Sequence, residues 1–196
     1  MIKFIPNILT VGRLVLTFIF LGMILYSPKL SNPTFLLDSA FVLFVVAGLT
    51  DIIDGWMARK FEVTSKFGRI VDPLADKVLV CGSFICFAII GEPKLFGLTG
   101  LALQAIHWSV AGILCAREAY VTVLRHLAEA KGFNFAATCS GKIKMFLQTF
   151  AIGTVIIKMG HVQTATWGYC FTSTVFVIMV AATVISGIRA TQRKPF

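Results

Sequence analysis

"DIIDGWMARKFEVTSKFGRIVDPLAD", residues 51–76, holds five of the nine acidic residues of the chain: Asp51, Asp54, Glu62, Asp72 and Asp76. The sequence on either side is oily. Hydrophobic residues make up 57% of the 196 positions and the mean hydropathy is +0.86. That is too apolar for an ordinary soluble domain, in which about half of the residues are apolar and about a quarter charged. A bilayer crossing needs roughly 20 mostly apolar residues, because lipid offers the backbone no hydrogen-bond partners. Six segments meet that need, at about 5–26, 35–60, 70–90, 98–125, 143–159 and 167–188, separated by Gly, Pro and charged residues. The expected fold is an all-α integral membrane bundle of six transmembrane helices forming one domain over residues 1–196. The first segment is interrupted early by Asn7, Thr10 and Arg13 and is followed by no small-residue cleavage pattern. It reads as a mature helix entered through Pro6, not as a signal peptide.

With six crossings and both termini cytoplasmic, fifteen of the eighteen Lys and Arg residues fall inside, leaving Lys29, Lys94 and Lys158 outside. This is the positive-inside pattern, and it puts the acidic stretch on the cytoplasmic side of the cell (inner) membrane. Topology accounts for most of the +9 net charge, although attraction to anionic headgroups would use the same residues. No basic stripe with interleaved aromatics suggests nucleic-acid binding. The five cysteines form no C-x-x-C pair, so they read as small apolar residues without a zinc or disulfide role. His107, His126 and His161 lack metal-ligand spacing and read as boundary or packing residues.

On a helix, Asp51, Asp54, Gly55 and Ala58 stand at offsets of zero, three, four and seven and share one face. Gly68, Asp72 and Asp76 step by four at the start of the next segment, where Pro73 fits best in a first helical turn. An aspartate at the centre of a membrane helix costs about 2.5–3.5 kcal/mol on insertion scales. Four close together would repel one another unless they took up protons or cations balanced them. Two divalent ions would neutralise the set, and all-oxygen ligation suits Mg²⁺ or Mn²⁺ in a two-metal phosphoryl-transfer site. Other readings stand beside this one. Gly55-x-x-Ala58 has the form of a small-xxx-small packing motif, and Asp beside Arg or Lys is common at solvated span ends. A divalent-cation transporter would use the same carboxylates. Transport sites usually lie at the midplane between repeated halves, whereas these cluster toward one face and have no counterpart in the second half.

The pattern D-x2-D-G-x2-A-R-x8-G-x3-D-x3-D is filled at all eight fixed positions: Asp51, Asp54, Gly55, Ala58, Arg59, Gly68, Asp72 and Asp76. It resembles the signature of the CDP-alcohol phosphatidyltransferases, which share the six-span layout. The resemblance implies that Asp51, Asp54 and Asp72 bind metal ions with Asp76 near them, and that Asp76 is the general base for an acceptor hydroxyl. It further implies a CDP-lipid site at Gly55, Ala58, Arg59 and Gly68, with Arg59 on the phosphates. Asn7, Thr10 and Arg13, on one face at steps of three, either reach the same nucleotide or form a polar helix entry. The segments "IPNILTVGRL" (5–14), "ARE" (116–118), "LR" (124–125) and "SGKIKMFLQ" (140–148) are similar to those of family members that use glycerol 3-phosphate. A dianionic acceptor needs a basic pocket. Arg117, Arg125, Ser140, Lys142 and Lys144 are the candidates, unless they serve as membrane-edge anchors. The implied reaction converts CDP-diacylglycerol and glycerol 3-phosphate to phosphatidylglycerophosphate and CMP. Serine, an inositol phosphate or phosphatidylglycerol are the alternative acceptors, and the family resemblance suggests a homodimer.

Overall fold

Two helix ends show how the sequence supplies the backbone with substitute partners where a helix starts or stops. A computed structural model of the chain describes residues 5–60, 66–95, 98, 100–132 and 139–192, apart from the side chains of residues 5–9, 51–60, 66–70, 72 and 139. Its helices are α1 (Ile5–Tyr26), α2 (Thr34–Lys60), α3 (Lys66–Ile90), α4 (Gly100–Ala130), α5 (Cys139–His161) and α6 (Thr166–Thr191). At the start of α2, the Asn32 carboxamide accepts a hydrogen bond from the Thr34 N–H (3.4 Å), and Pro33 bars the helix from beginning earlier. At the end of α3, Gly91 takes φ +71° and the Glu92 N–H returns to the Phe87 carbonyl (3.1 Å). That is the left-handed glycine stop that satisfies late helical carbonyls.

The helices form a closed ring. α1 packs on α2 and α3, α2 on α5, α5 on α6, α6 on α4, and α4 on α3, while α3 and α5 touch across the middle. Phe20, Phe44, Phe84, Phe87, Ile152 and Met179 fill the centre. The polar pattern is inverted relative to a water-soluble protein: Arg13 is 1% exposed, whereas Phe35 and Leu101 are 84% and 85% exposed. Hydroxyls on the helices mostly return to the carbonyl one turn back, as Thr17 does to Arg13 (2.9 Å) and Thr174 to Cys170 (2.8 Å). In lipid, that leaves few polar groups unsatisfied. Among the described residues every secondary-structure element is a helix, and the protein is an integral membrane protein.

Among the described residues, four stretches are long and apolar enough to cross a bilayer: Thr10–Lys29, Pro73–Ile90, Ser140–His161 and Thr166–Thr191. Within the described side chains, α2 contributes the shorter apolar run Thr34–Thr50. α4 has 31 residues but is interrupted by Gln104, His107, Arg117 and Glu118.

Helix ends differ from expectation at α3 and α4, and α5 starts at Cys139, four residues before the expected 143. α3 begins at Lys66, not at residue 70, so Pro73 lies inside the helix and not in its first turn. Having no N–H, Pro73 leaves the carbonyl four residues earlier without its usual partner. α4 continues to Ala130, past the expected 125. Charged residues end an apolar run but not a helix, and this helix stops at Gly132, where φ is +79°.

The histidines act as anticipated. His107 is buried with Nε2 3.1 Å from the Pro93 carbonyl, tying α4 to the α3–α4 turn. His161 pairs with Asp38 (2.7 Å), and His126 is exposed.

Candidate active site

The signature falls on the last turns of α2 and the first turns of α3. Both segments are helical, so the offsets that put Asp51 with Asp54, and Asp72 with Asp76, on shared faces hold for the backbone. The side chains of Asn7, Asp51, Asp54, Gly55, Ala58, Arg59, Gly68 and Asp72 lie outside the described residues.

Asp76 is described, and it meets α1. The Arg13 guanidinium donates through Nη1 to Asp76 Oδ1 at 3.1 Å, with the side chains 1% and 31% exposed. Arg13 is thus a fully buried cation engaging a carboxylate that remains reachable. Thr10, one turn earlier on α1, is also buried. The inward face read for Thr10 and Arg13 is present, and it delivers Arg13 to the carboxylate expected to act as base.

A second charged cluster lies on α4 and α5. Arg117 Nη1 donates to Glu118 Oε1 at 3.0 Å, and Lys144 Nζ donates to that same oxygen. Arg117 also bonds Ser186 of α6, while Gln148, one turn beyond Lys144, reaches Thr183 (3.4 Å). Arg117, Glu118 and Lys144 are 12%, 14% and 4% exposed. Two cations therefore share one carboxylate in a low-dielectric site, which leaves a net positive charge. Arg117 Nε and Gln148 Oε1 are buried without a hydrogen-bond partner among the described residues. Such groups are costly to bury unsatisfied and are ready to bind an incoming polar ligand.

The two clusters are neighbours. Cys81 of α3 lies within electrostatic reach of both Glu118 and Lys144. It follows Asp76 by five residues, about 7.5 Å along the helix.

The five acceptor candidates are not gathered in one place. Arg117 and Lys144 converge, whereas Lys142 and Arg125 are exposed and Ser140 is half-buried at the start of α5. Residues two apart on a helix diverge by about 200°, so Lys142 and Lys144 cannot face the same interior. Glu118 was not among the sequence candidates. A lone carboxylate between Arg117 and apolar residues was the available signal, since such a group is rarely left unpaired in a membrane. Gln148 and Ser186 depend on how α5 and α6 pack and had no local signal.

Residues 3–188 match the family model described as CDP-alcohol phosphatidyltransferase. The chain is 32% identical over 188 residues to a probable phosphatidylglycerophosphate synthase of Mycobacterium tuberculosis, covering 93% of this chain and 77% of the relative. It is 34% identical over 161 residues to the CDP-diacylglycerol–glycerol-3-phosphate 3-phosphatidyltransferase of Bacillus subtilis, with coverages of 78% and 76%. With the Haemophilus influenzae protein of that name it shares 31% identity over 159 residues, covering 80% and 77%.

Proposed function

This chain belongs to the CDP-alcohol phosphatidyltransferase family, and on that premise we propose that it transfers the phosphatidyl group of CDP-diacylglycerol to glycerol 3-phosphate. The products are phosphatidylglycerophosphate and CMP, a step of phospholipid biosynthesis. The observation that carries the choice of acceptor is the excess positive charge of the Arg117–Glu118–Lys144 cluster beside the helix that bears Asp76. A phosphate dianion suits that excess, whereas a neutral or zwitterionic alcohol leaves it uncompensated.

Asp51 and Asp54 near the end of α2 and Asp72 and Asp76 in the first turns of α3 would supply an all-oxygen donor set, which suits Mg²⁺ or Mn²⁺ in a two-metal site. When bound, the ions offset charge on the diphosphate of the donor lipid. Gly55, Ala58 and Gly68 leave room for the cytidine nucleotide, and Arg59 pairs with its phosphates, with Asn7 and Thr10 alongside. Arg13 orients Asp76, which takes the proton of the acceptor hydroxyl as the new P–O bond forms and the bond to CMP breaks. Arg117 and Lys144 hold the acceptor's own phosphate, with Ser140 at the start of the helix that carries Lys144, while Arg125 and Lys142, both exposed, stand outside that pocket.

In this reading all six helices cross the cell (inner) membrane, both termini and the active site face the cytoplasm, and residues 1–196 work as one domain in a homodimer. The fifteen-to-three division of basic residues supports the orientation, and the family resemblance supports the dimer. The test is to incubate the purified protein with CDP-diacylglycerol and a panel of acceptors, with Mg²⁺ or with EDTA, and to identify the lipid formed as CMP is released. Metal-dependent phosphatidylglycerophosphate is the expected product. Turnover with serine, an inositol phosphate or phosphatidylglycerol in place of glycerol 3-phosphate would move the acceptor assignment, and turnover in EDTA would remove the metals.

A further inference from the structure

At the end of the bundle opposite the signature, α2 begins, α5 ends and α6 begins, joined by Thr34 Oγ1 donating to the Gly160 carbonyl (3.3 Å). This end is distant from the reaction centre: from Asp76 to Ile90 α3 rises about 21 Å. Two cavities meet there at one side chain. The first is an apolar groove of about 450 Å³ between α2, α5 and α6, walled by Phe44, Phe150, Ile157 and Phe171. Along α5 it extends from Phe146 to Ile157, about 16 Å, and Trp167, 65% exposed, stands at its mouth. The second is a polar cavity of about 350 Å³ that includes Ser31, Glu92, Lys94 and Gln163. Lys158 lines both.

Lys158 is a buried cation, 4% exposed. Its ammonium sits 4.4 Å from the centroid of the Tyr169 ring and enters no ion pair within 4.0 Å among the described residues. Glu92, the acid in the adjoining cavity, is near enough to act on Lys158 electrostatically, as Lys94 is with the opposite sign. It turns one oxygen to the Lys94 backbone N–H (2.9 Å), however, and makes no ion-pair contact with Lys158. A cation–π contact offsets only a small part of the cost of burying an ammonium. The site therefore calls for an anion, and the groove beside it calls for a hydrocarbon chain.

We propose that this end of the bundle binds an anionic phospholipid from the leaflet opposite the active site, with its phosphate at Lys158, its headgroup toward Lys94 and one acyl chain in the α2–α5–α6 groove. The charge selects the class. A zwitterionic lipid would bring its own cation beside Lys158 and Lys94, and a water-soluble phosphate would leave the groove unused.

The test is native mass spectrometry of the full chain in non-ionic detergent, titrated with phosphatidylglycerol or with phosphatidylcholine of the same acyl chains. The wild type should retain phosphatidylglycerol at roughly tenfold lower concentration than phosphatidylcholine. Lys158→Met should bring the two lipids level and Lys158→Arg should restore the preference. Thr154→Trp, which fills the groove, should reduce retention of both lipids, whereas Lys29→Met, at an exposed lysine of the same end, should change neither. CMP release by these variants should stay within about twofold of wild type, which reports an intact fold through a site the substitutions do not touch. Equal retention of the two lipids by the wild type would overturn the proposal, as would an undiminished preference in Lys158→Met. A lipid-free dimer broken by Thr154→Trp would overturn it by making the groove a subunit contact.

Discussion

The Arg13–Asp76 pair and the Arg117–Glu118–Lys144 cluster are both buried ionic contacts at the same end of the bundle, but they are built differently. In the first, among the described residues, one buried guanidinium meets a carboxylate that is the more exposed partner. In the second, two cations meet one carboxylate oxygen. A guanidinium held on one exposed carboxylate fixes that carboxylate's direction, whereas two cations on one carboxylate oxygen keep positive charge in hand for a ligand. On the proposed function, the difference separates two tasks: placing a base, and recognising an anion.

The largest effect should come from removing the base. Asp76→Asn should lower turnover by about 10²–10⁴-fold, the usual contribution of a positioned acid or base. CMP release from CDP-diacylglycerol measures the loss, with circular dichroism in detergent reporting retained helix. Near-normal turnover would place the base elsewhere. Lys144→Met comes next, because it leaves Arg117 and Glu118 as a neutral pair. The KM for glycerol 3-phosphate should rise by about 10–100-fold, as for the loss of a hydrogen bond to a charged group, while the KM for CDP-diacylglycerol stays put. If both constants rose together, the distinction between the two clusters would collapse.

Arg13→Lys keeps the charge but loses the planar fork that holds Asp76. We expect kcat to fall about tenfold with both KM values retained; a raised KM for CDP-diacylglycerol would return Arg13 to the nucleotide. The smallest effect belongs to Lys142→Ala. Lys142 is exposed, and a surface change of this kind shifts energies by about 0.5 kcal/mol or less, so glycerol 3-phosphate kinetics should match wild type. A large KM effect at Lys142 would show that an acceptor approaches from the outer face of α5.

The helices were legible because apolar runs bounded by Gly, Pro and charge are the dominant signal in a membrane sequence. The expected 5–26 coincides with α1, and 35–60 begins one residue inside α2. Ends governed by something other than hydropathy were harder to read. α5 starts four residues before the expected 143, and α3 carries Pro73 internally. The aspartate signature was fully legible as spacing, because i, i+3 and i+4 relations lie within one helix. The cation cluster was only half legible. Arg117 and Lys144 stood out as charges in oily surroundings, but their convergence on Glu118 depends on α4 meeting α5, 26 residues apart in sequence. Composition and position near a span end do not separate Lys142 from Lys144; the roughly 200° between residues two apart on a helix does, once α5 is seen to bury Lys144 and expose Lys142.

The ring order of the helices divides the enzyme along its sequence. α1, α2 and α3 are mutual neighbours through α1, while α4 and α5 both pack on α6. The whole signature and its Arg13 partner precede residue 77, and Arg117, Glu118, Lys144 and Ser186 all follow residue 116. On the proposed function, the chain is written as a half that handles the donor lipid followed by a half that holds the acceptor's phosphate, with the turn at Gly91–Lys94 as the seam. Selection for a new alcohol can act on the later half while the earlier one keeps its chemistry, so a single ancestral bundle can diversify by rewriting its second three helices.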